Sequence, residues 1–145
     1  LVEGGLFRTP LLAWRQARGG EVRAGCSRRP SWRDLPLAGP THLYFQPDPK
    51  HSVAALLGGI DRGAYLIDTT GAPQIDWSAA RFTLSVCGFA VSGGRAAAPL
   101  AGARISGNIA ALLQGIRAAA RDLTFFPGDG MLGAPTLLVS GLELR

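Results

Sequence analysis

Two histidines, two cysteines and one acidic turn are the residues on which chemistry would have to rest. A zinc hydrolase needs imidazoles or carboxylates converging on the ion, commonly two His one helical turn apart beside a Glu that activates water. His42 and His51 are nine residues apart with Tyr44, Gln46 and prolines between them, so they share no helical face. Each reads as an ordinary surface or hydrogen-bonded histidine. Cys26 lies in a polar Arg/Ser stretch and Cys87 at the end of an alternating run, with no CxxC spacing, which suggests two free thiols in a reducing compartment. A Cys–His nucleophile pair is left open by sequence alone, because spatial neighbours need not be close along the chain. Asp129, in Gly128-Asp129-Gly130-Met131, could be a loop acid; the same tetrapeptide is an ordinary turn sequence. Gly93-Gly94 lacks the lysine and following helix of a phosphate loop. Tyr44 and Phe45 near basic residues could stack on bases, but alternating strand aromatics are more often core.

The 145 residues, 47% hydrophobic, suffice for one substantial core, and we expect a single domain over residues 1–145 that is part of a longer chain. No long uncharged apolar run suggests a membrane span, and a cytoplasmic location is expected. The formal charge is +5. Arg8, Arg15, Arg18, Arg23, Arg28, Arg29 and Arg33 crowd the first third, opposed by Glu3, Glu21 and Asp34. Such a surface could meet phosphate. Lys50 is nevertheless the only lysine, and the abundance of Arg, Ala, Gly and Pro is what a GC-rich coding bias alone produces, so nucleic acid is disfavoured as a partner.

Local patterns assign the elements that must position these residues. Leu1 to Phe7 reads as a strand interrupted at Gly4-Gly5, and Thr9-Pro10 as the start of a helix over Leu11 to Arg18. Glu21 to Pro40 has no periodicity and reads as a long Arg-rich loop. Thr41 to Gln46 alternates as a strand, with Leu43 and Phe45 on one face and His42 and Tyr44 on the other. Ser52 caps a helix carrying Val53, Leu56, Leu57 and Ile60, ended by Gly63. Ala64 to Asp68 is a strand. Arg81 onward is a hairpin turned by Ser92-Gly93-Gly94-Arg95. Its buried parity changes between Val86 and Phe89, which places a bulge at Gly88. Ser106 is expected to cap the longest helix, with Ile109, Leu112, Leu113, Ile116, Ala120 and Leu123 on one stripe. Gly133 to Val139 closes as a strand. The expected fold class is α+β, a mainly antiparallel sheet or barrel-like domain with two to three helices.

In that order, "GFAVSGGR", "AGARISGNIAALLQGI", "RDLTFF" and "GAPTLLVSGLEL" resemble the C-terminal part of the TldD/PmbA family, the modulator-of-gyrase proteins related to two-subunit metallopeptidases. "LVEGGLFRTPLLAWRQARGG" and "THLYFQPDPKHSVAALLGGIDRGAYLIDTTG" extend the likeness over nearly the whole chain, with residues 21–40 the weakest part. The resemblance implies, for a catalytic-type subunit, an HExxxH helix upstream and a zinc-binding Cys in the loop before the final strand. Phe126 to Gly133 holds Met131 and no Cys. The resemblance therefore points toward the non-catalytic PmbA/TldE-type subunit, with no cofactor in this chain, zinc in a TldD-type partner subunit, an unfolded peptide substrate, and an oligomeric assembly. Phe126, Asp129, Met131 and Gly133 are the candidate residues for a partner or peptide groove; no catalytic and no metal residue carries over. Two alternatives remain: a zinc metallopeptidase fragment whose HExxxH helix lies upstream, and a nucleic-acid-binding, gyrase-modulator-like module.

Overall fold

The Gly93-Gly94 turn joins the two longest strands of the chain, and the rest of its neighbourhood is assembled around them. A computed structural model describes residues 1–16, 26–128 and 130–145. In chain order the elements are β1 (Val2–Glu3), β2 (Leu6–Phe7), β3 (Ser27–Arg28), β4 (Leu37–Ala38), β5 (His42–Tyr44), α1 (Val53–Gly58), β6 (Arg62–Thr69) and β7 (Gln74–Asp76). Then follow β8 (Arg81–Ser92), β9 (Arg95–Asn108), α2 (Ile109–Gln114), β10 (Ile116–Ala119), β11 (Thr124–Gly128), β12 (Gly130–Ala134), β13 (Leu137–Val139) and β14 (Glu143–Leu144). The chain is α+β and dominated by antiparallel strands, with two short helices and no closed barrel among the described residues. No helix among them is long and apolar enough to cross a membrane.

Two compact units emerge: residues 1–45 with 124–134, and residues 46–123 with 135–145. In the second, β14, β9, β8 and β6 hydrogen-bond in that order, and β7 also pairs with β8. Gly93 and Gly94 take φ of 55° and 75°, which a two-residue hairpin turn following the strand twist requires. Their N–H groups donate to the Asp61 and Ile60 carbonyls at 2.8 Å, tying the hairpin tip to the end of α1. Phe82, Val86 and Ile105 form the buried centre, and Leu66, Leu84, Ala103, Ile109, Leu112 and Leu142 pack on it. Each fully buried side chain of this size contributes roughly 1.5–3 kcal/mol.

Parity does shift along β8, from Phe82 and Val86 to Val91, but Phe89 stays 37% exposed. The extra residues lie on the neighbouring strands: β6 slips between Leu66 and Asp68, and β9 slips opposite Val86/Gly88 and Phe89/Val91. Gly88 is needed for another reason. A Cβ there would collide with the Tyr65 carbonyl oxygen and lie 2.9 Å from Leu66 Cα.

Several local expectations are corrected. Residues 11–16 are not helical; Gln16 N–H donates to the Ala13 carbonyl at 2.8 Å in a turn, and 17–25 lie outside the described residues. Within the supposed loop 21–40, β3 and β4 form an antiparallel ladder, Ser27 opposite Ala38 and Arg28 opposite Leu37. Helix α1 has Ser52 as its cap, accepting the Ala55 N–H at 3.1 Å, but ends at Gly58 rather than Gly63. Ser106 caps nothing. It belongs to β9, and Asn108 caps α2 by accepting the Ala110 and Ala111 N–H groups at 2.8 and 3.3 Å. The helix stops after one and a half turns because the backbone at Gly115 runs against the Ser140 carbonyl, where a Cβ would not fit, and Ile116 turns into a strand paired with β13. The closing strand is likewise divided. Pro135 and Thr136 separate β12 from β13, and β14 returns to β9, where Arg104 and Arg145 exchange backbone bonds of 2.7 and 2.9 Å.

Candidate functional site

The segment Phe126 to Gly133, expected as a loop, is a β-hairpin. Strands β11 and β12 pair antiparallel, Phe125 opposite Gly133, Phe126 opposite Leu132 and Pro127 opposite Met131. Strand β12 then takes β5 as a parallel neighbour, Met131 beside His42, Leu132 beside Leu43 and Gly133 beside Tyr44. The Met131 N–H donates to the Thr41 carbonyl at 2.9 Å and the Phe45 N–H to the Gly133 carbonyl at 3.1 Å. Met131, Gly133 and Phe126 are thus brought into one three-stranded sheet. Asp129 lies outside the described residues.

Directly paired residues share a face, so the candidates divide. Met131 and Gly133 lie with Phe125, Pro127, His42 and Tyr44, whereas Phe126 lies with Leu132 and Leu43 on the opposite face. On the first face the Phe125 ring meets His42 and Tyr44 edge-on, centroids 5.9 and 5.8 Å apart, a geometry favourable for aromatic pairs. Gly133 forms the floor. A Cβ there would lie 2.8 Å from both Phe125 Cε1 and Tyr44 Cβ, so only glycine lets the two rings close over the strand. On the second face Phe126 is 57% and Leu132 54% exposed. Tyr44 and Phe45, expected as core, are exposed as well.

His42, Leu43, Phe125 and Leu132 are site residues that sequence reading did not select. The alternation of His42, Leu43 and Tyr44 carried part of the signal, since it separated the two faces correctly. The remainder depends on the parallel β5–β12 pairing, a long-range contact with no local signature.

Among its described residues this sheet lacks a zinc ligand set. Zinc takes thiolate, imidazole or carboxylate ligands, and the described residues offer one imidazole, His42, beside the neutral thioether of Met131. Among the described residues no three His, Cys, Asp or Glu form a group able to hold a metal. In the second unit, the Cys87 thiol donates to the Asp68 carbonyl at 3.7 Å and His51 Nε2 lies 3.6 Å from Asp48 Oδ2. Both cysteines are free.

Two carboxylates have lowered pKa values. For Asp76 the Ser78 hydroxyl is the main cause, donating at 2.6 Å, supported by the Ala79 N–H. For Asp122 burial raises the pKa, but the Thr136 hydroxyl and N–H, donating at 2.7 and 2.9 Å, outweigh it. Both are structural clasps. The first closes the turn from β7 to β8, and the second holds the connection before β13 against the end of β10.

The fold has counterparts among solved structures. A structure from Thermotoga maritima, described as a candidate modulator of a DNA gyrase, is 27% identical with a TM-score of 0.66, covering 74% of this chain and 24% of that one. TldE from Thermococcus kodakarensis shares the fold at 20% identity and TM-score 0.72, over 85% of this chain and 28% of that one. A candidate modulator of DNA gyrase from Bacteroides thetaiotaomicron does so at 19% identity and TM-score 0.66, over 77% and 24%. The chain spans about a quarter of the length of these structures. No curated protein matches it. The model of the PmbA/TldA metallopeptidase C-terminal domain matches residues 1–145, and the chain belongs to that family.

Proposed function

We propose that this chain is a non-catalytic, partner- and peptide-binding domain of a TldD/PmbA-type peptidase assembly, of the TldE type, working in the cytoplasm beside a TldD-type subunit that holds the zinc. The observation that carries this reading is the sheet β11-β12-β5, whose faces present Phe126, Leu132, Leu43 and Tyr44 to solvent on a hydrogen-bonded frame. Exposed apolar clusters of this kind mark surfaces that are covered in an assembly. The strand edges suit an unfolded peptide, which can be held through its main chain whatever its sequence. The composition of the segment Phe126 to Gly133, with Met131 and no cysteine, supports a scaffold rather than an active centre.

Zinc titration of the chain alone tests the non-catalytic part. The expected result is no stoichiometric zinc retained after dialysis. A one-to-one site that survives dialysis would contradict the proposal.

A further inference from the structure

The Arg-rich stretch has no role in the sheet described above, yet its described part is an ordered hairpin. Strands β3 and β4 frame a tip in which the Asp34 N–H donates to the Ser31 carbonyl at 3.1 Å and the Arg33 N–H to Ser31 Oγ at 3.4 Å. The tip holds Trp32 78% exposed, with the Arg33 guanidinium 4.6 Å from its ring centroid. A guanidinium this close to an indole ring makes a favourable cation–π contact. Leu35 and Leu37 are exposed beside it. A shallow pocket of about 240 Å³ is lined by Arg28, Pro30, Leu37, Ala38 and Gly39. Trp14, whose backbone N–H donates to Ser27 Oγ at 3.3 Å, brings the exposed Arg15 to the same ladder. Among the described residues, Arg15, Arg28, Arg29 and Arg33 form no salt bridge, whereas Arg8 is paired with Glu3.

Charge alone would suit any polyanion. The composition narrows the choice: Trp and Arg set among exposed leucines, with an apolar-floored pocket rimmed by one guanidinium, is the make-up of a protein interface. A phosphate-binding surface would have no use for Leu35 and Leu37. We propose that the β3–β4 hairpin docks an acidic, leucine-bearing segment of a partner protein, an apolar side chain entering the pocket and flanking carboxylates pairing with Arg28, Arg29 and Arg33. The inference rests on the partner-binding reading above and assigns it a second surface.

The test is fluorescence anisotropy with the full chain and a labelled twelve-residue peptide of alternating Glu and Leu, with a Lys/Leu peptide and single-stranded oligo(dT) as comparators. The Glu/Leu peptide should bind, weaken with added salt, and lose roughly tenfold in affinity to R28E/R29E/R33E, three charge contacts acting together. W32A should weaken it too, and R62E, outside the hairpin, should not. Circular dichroism of each variant shows that it is folded. Tighter binding of oligo(dT) than of the Glu/Leu peptide overturns the proposal, as does binding that the hairpin variants leave unchanged or no peptide binding at all. Any of these outcomes leaves association with a TldD-type subunit, measured separately, free to succeed or fail.

Discussion

Replacing Gly88 with Ala should disrupt the pairing of β8 with β6 in the second unit. The added Cβ would collide with the Tyr65 carbonyl oxygen and lie 2.9 Å from Leu66 Cα and 3.0 Å from the Tyr65 carbonyl carbon. All three are backbone atoms of β6, so no rotamer change relieves the clash, and the Leu66–Gly88 register must open. Overpacking costs typically about 1–3 kcal/mol, and rigid neighbours place this site near the upper end. Removing glycine's flexibility returns about 0.5–1 kcal/mol, which leaves a net loss of about 2 kcal/mol. With a urea m-value of about 2 kcal/mol per molar, the unfolding midpoint should fall by about 1 M at unchanged slope. Gly71→Ala is the control, because it has no positive φ and a Cβ there meets nothing within 4 Å. That substitution should stay within about 0.5 kcal/mol of wild type. A Gly88→Ala midpoint equal to that of Gly71→Ala would refute the packing argument.

Further outcomes follow from the same geometry. Asn108→Ala removes the cap of α2 and should cost about 1 kcal/mol in urea unfolding, whereas Ser106→Ala should cost less than half of that; equal losses would restore Ser106 as the cap. Asp76 and Asp122 have folded pKa values below their unfolded ones, so the unfolded chain binds more protons between the two values. Their contribution is complete above roughly pH 4 and is lost as pH falls through the folded values. The double variant Asp76→Asn with Asp122→Asn should therefore lose less stability than wild type between pH 5 and pH 2, both read by thermal melts; parallel profiles would count against the clasps.

What the sequence made legible had local causes. Gly93-Gly94 forces its turn through positive φ, Ser52 and the Val53/Leu56/Leu57/Ile60 stripe define the start of α1, and the β5 alternation follows from period two. The errors came where tertiary contacts overrode a good local pattern. The stripe from Ile109 to Leu123 is helical in period, yet Gly115 meets the Ser140 carbonyl and Ile116 finds a strand partner in Val139. Thr9-Pro10 is a helix start whose described continuation is a turn. Strands β3 and β4, two residues each, are too short to show any period. For the site, Gly128-Asp129-Gly130-Met131 reads locally as a turn within a loop, but Gly128 and Gly130 pair with each other as part of the β11–β12 ladder. Phe126 was selected together with Met131 because sequence proximity does not reveal which face of a strand a residue occupies.

The proposed role makes this chain a partner-binding scaffold whose sheet β11-β12-β5 meets a TldD-type subunit. Size-exclusion chromatography with light scattering, on a mixture of the two purified proteins, tests it most directly. The expected result is a complex with the summed mass, lost when Phe126→Asp and Leu132→Asp are combined in a chain that still folds. Wild-type protein eluting separately from the TldD-type subunit, or a complex that the double variant forms equally well, would contradict it.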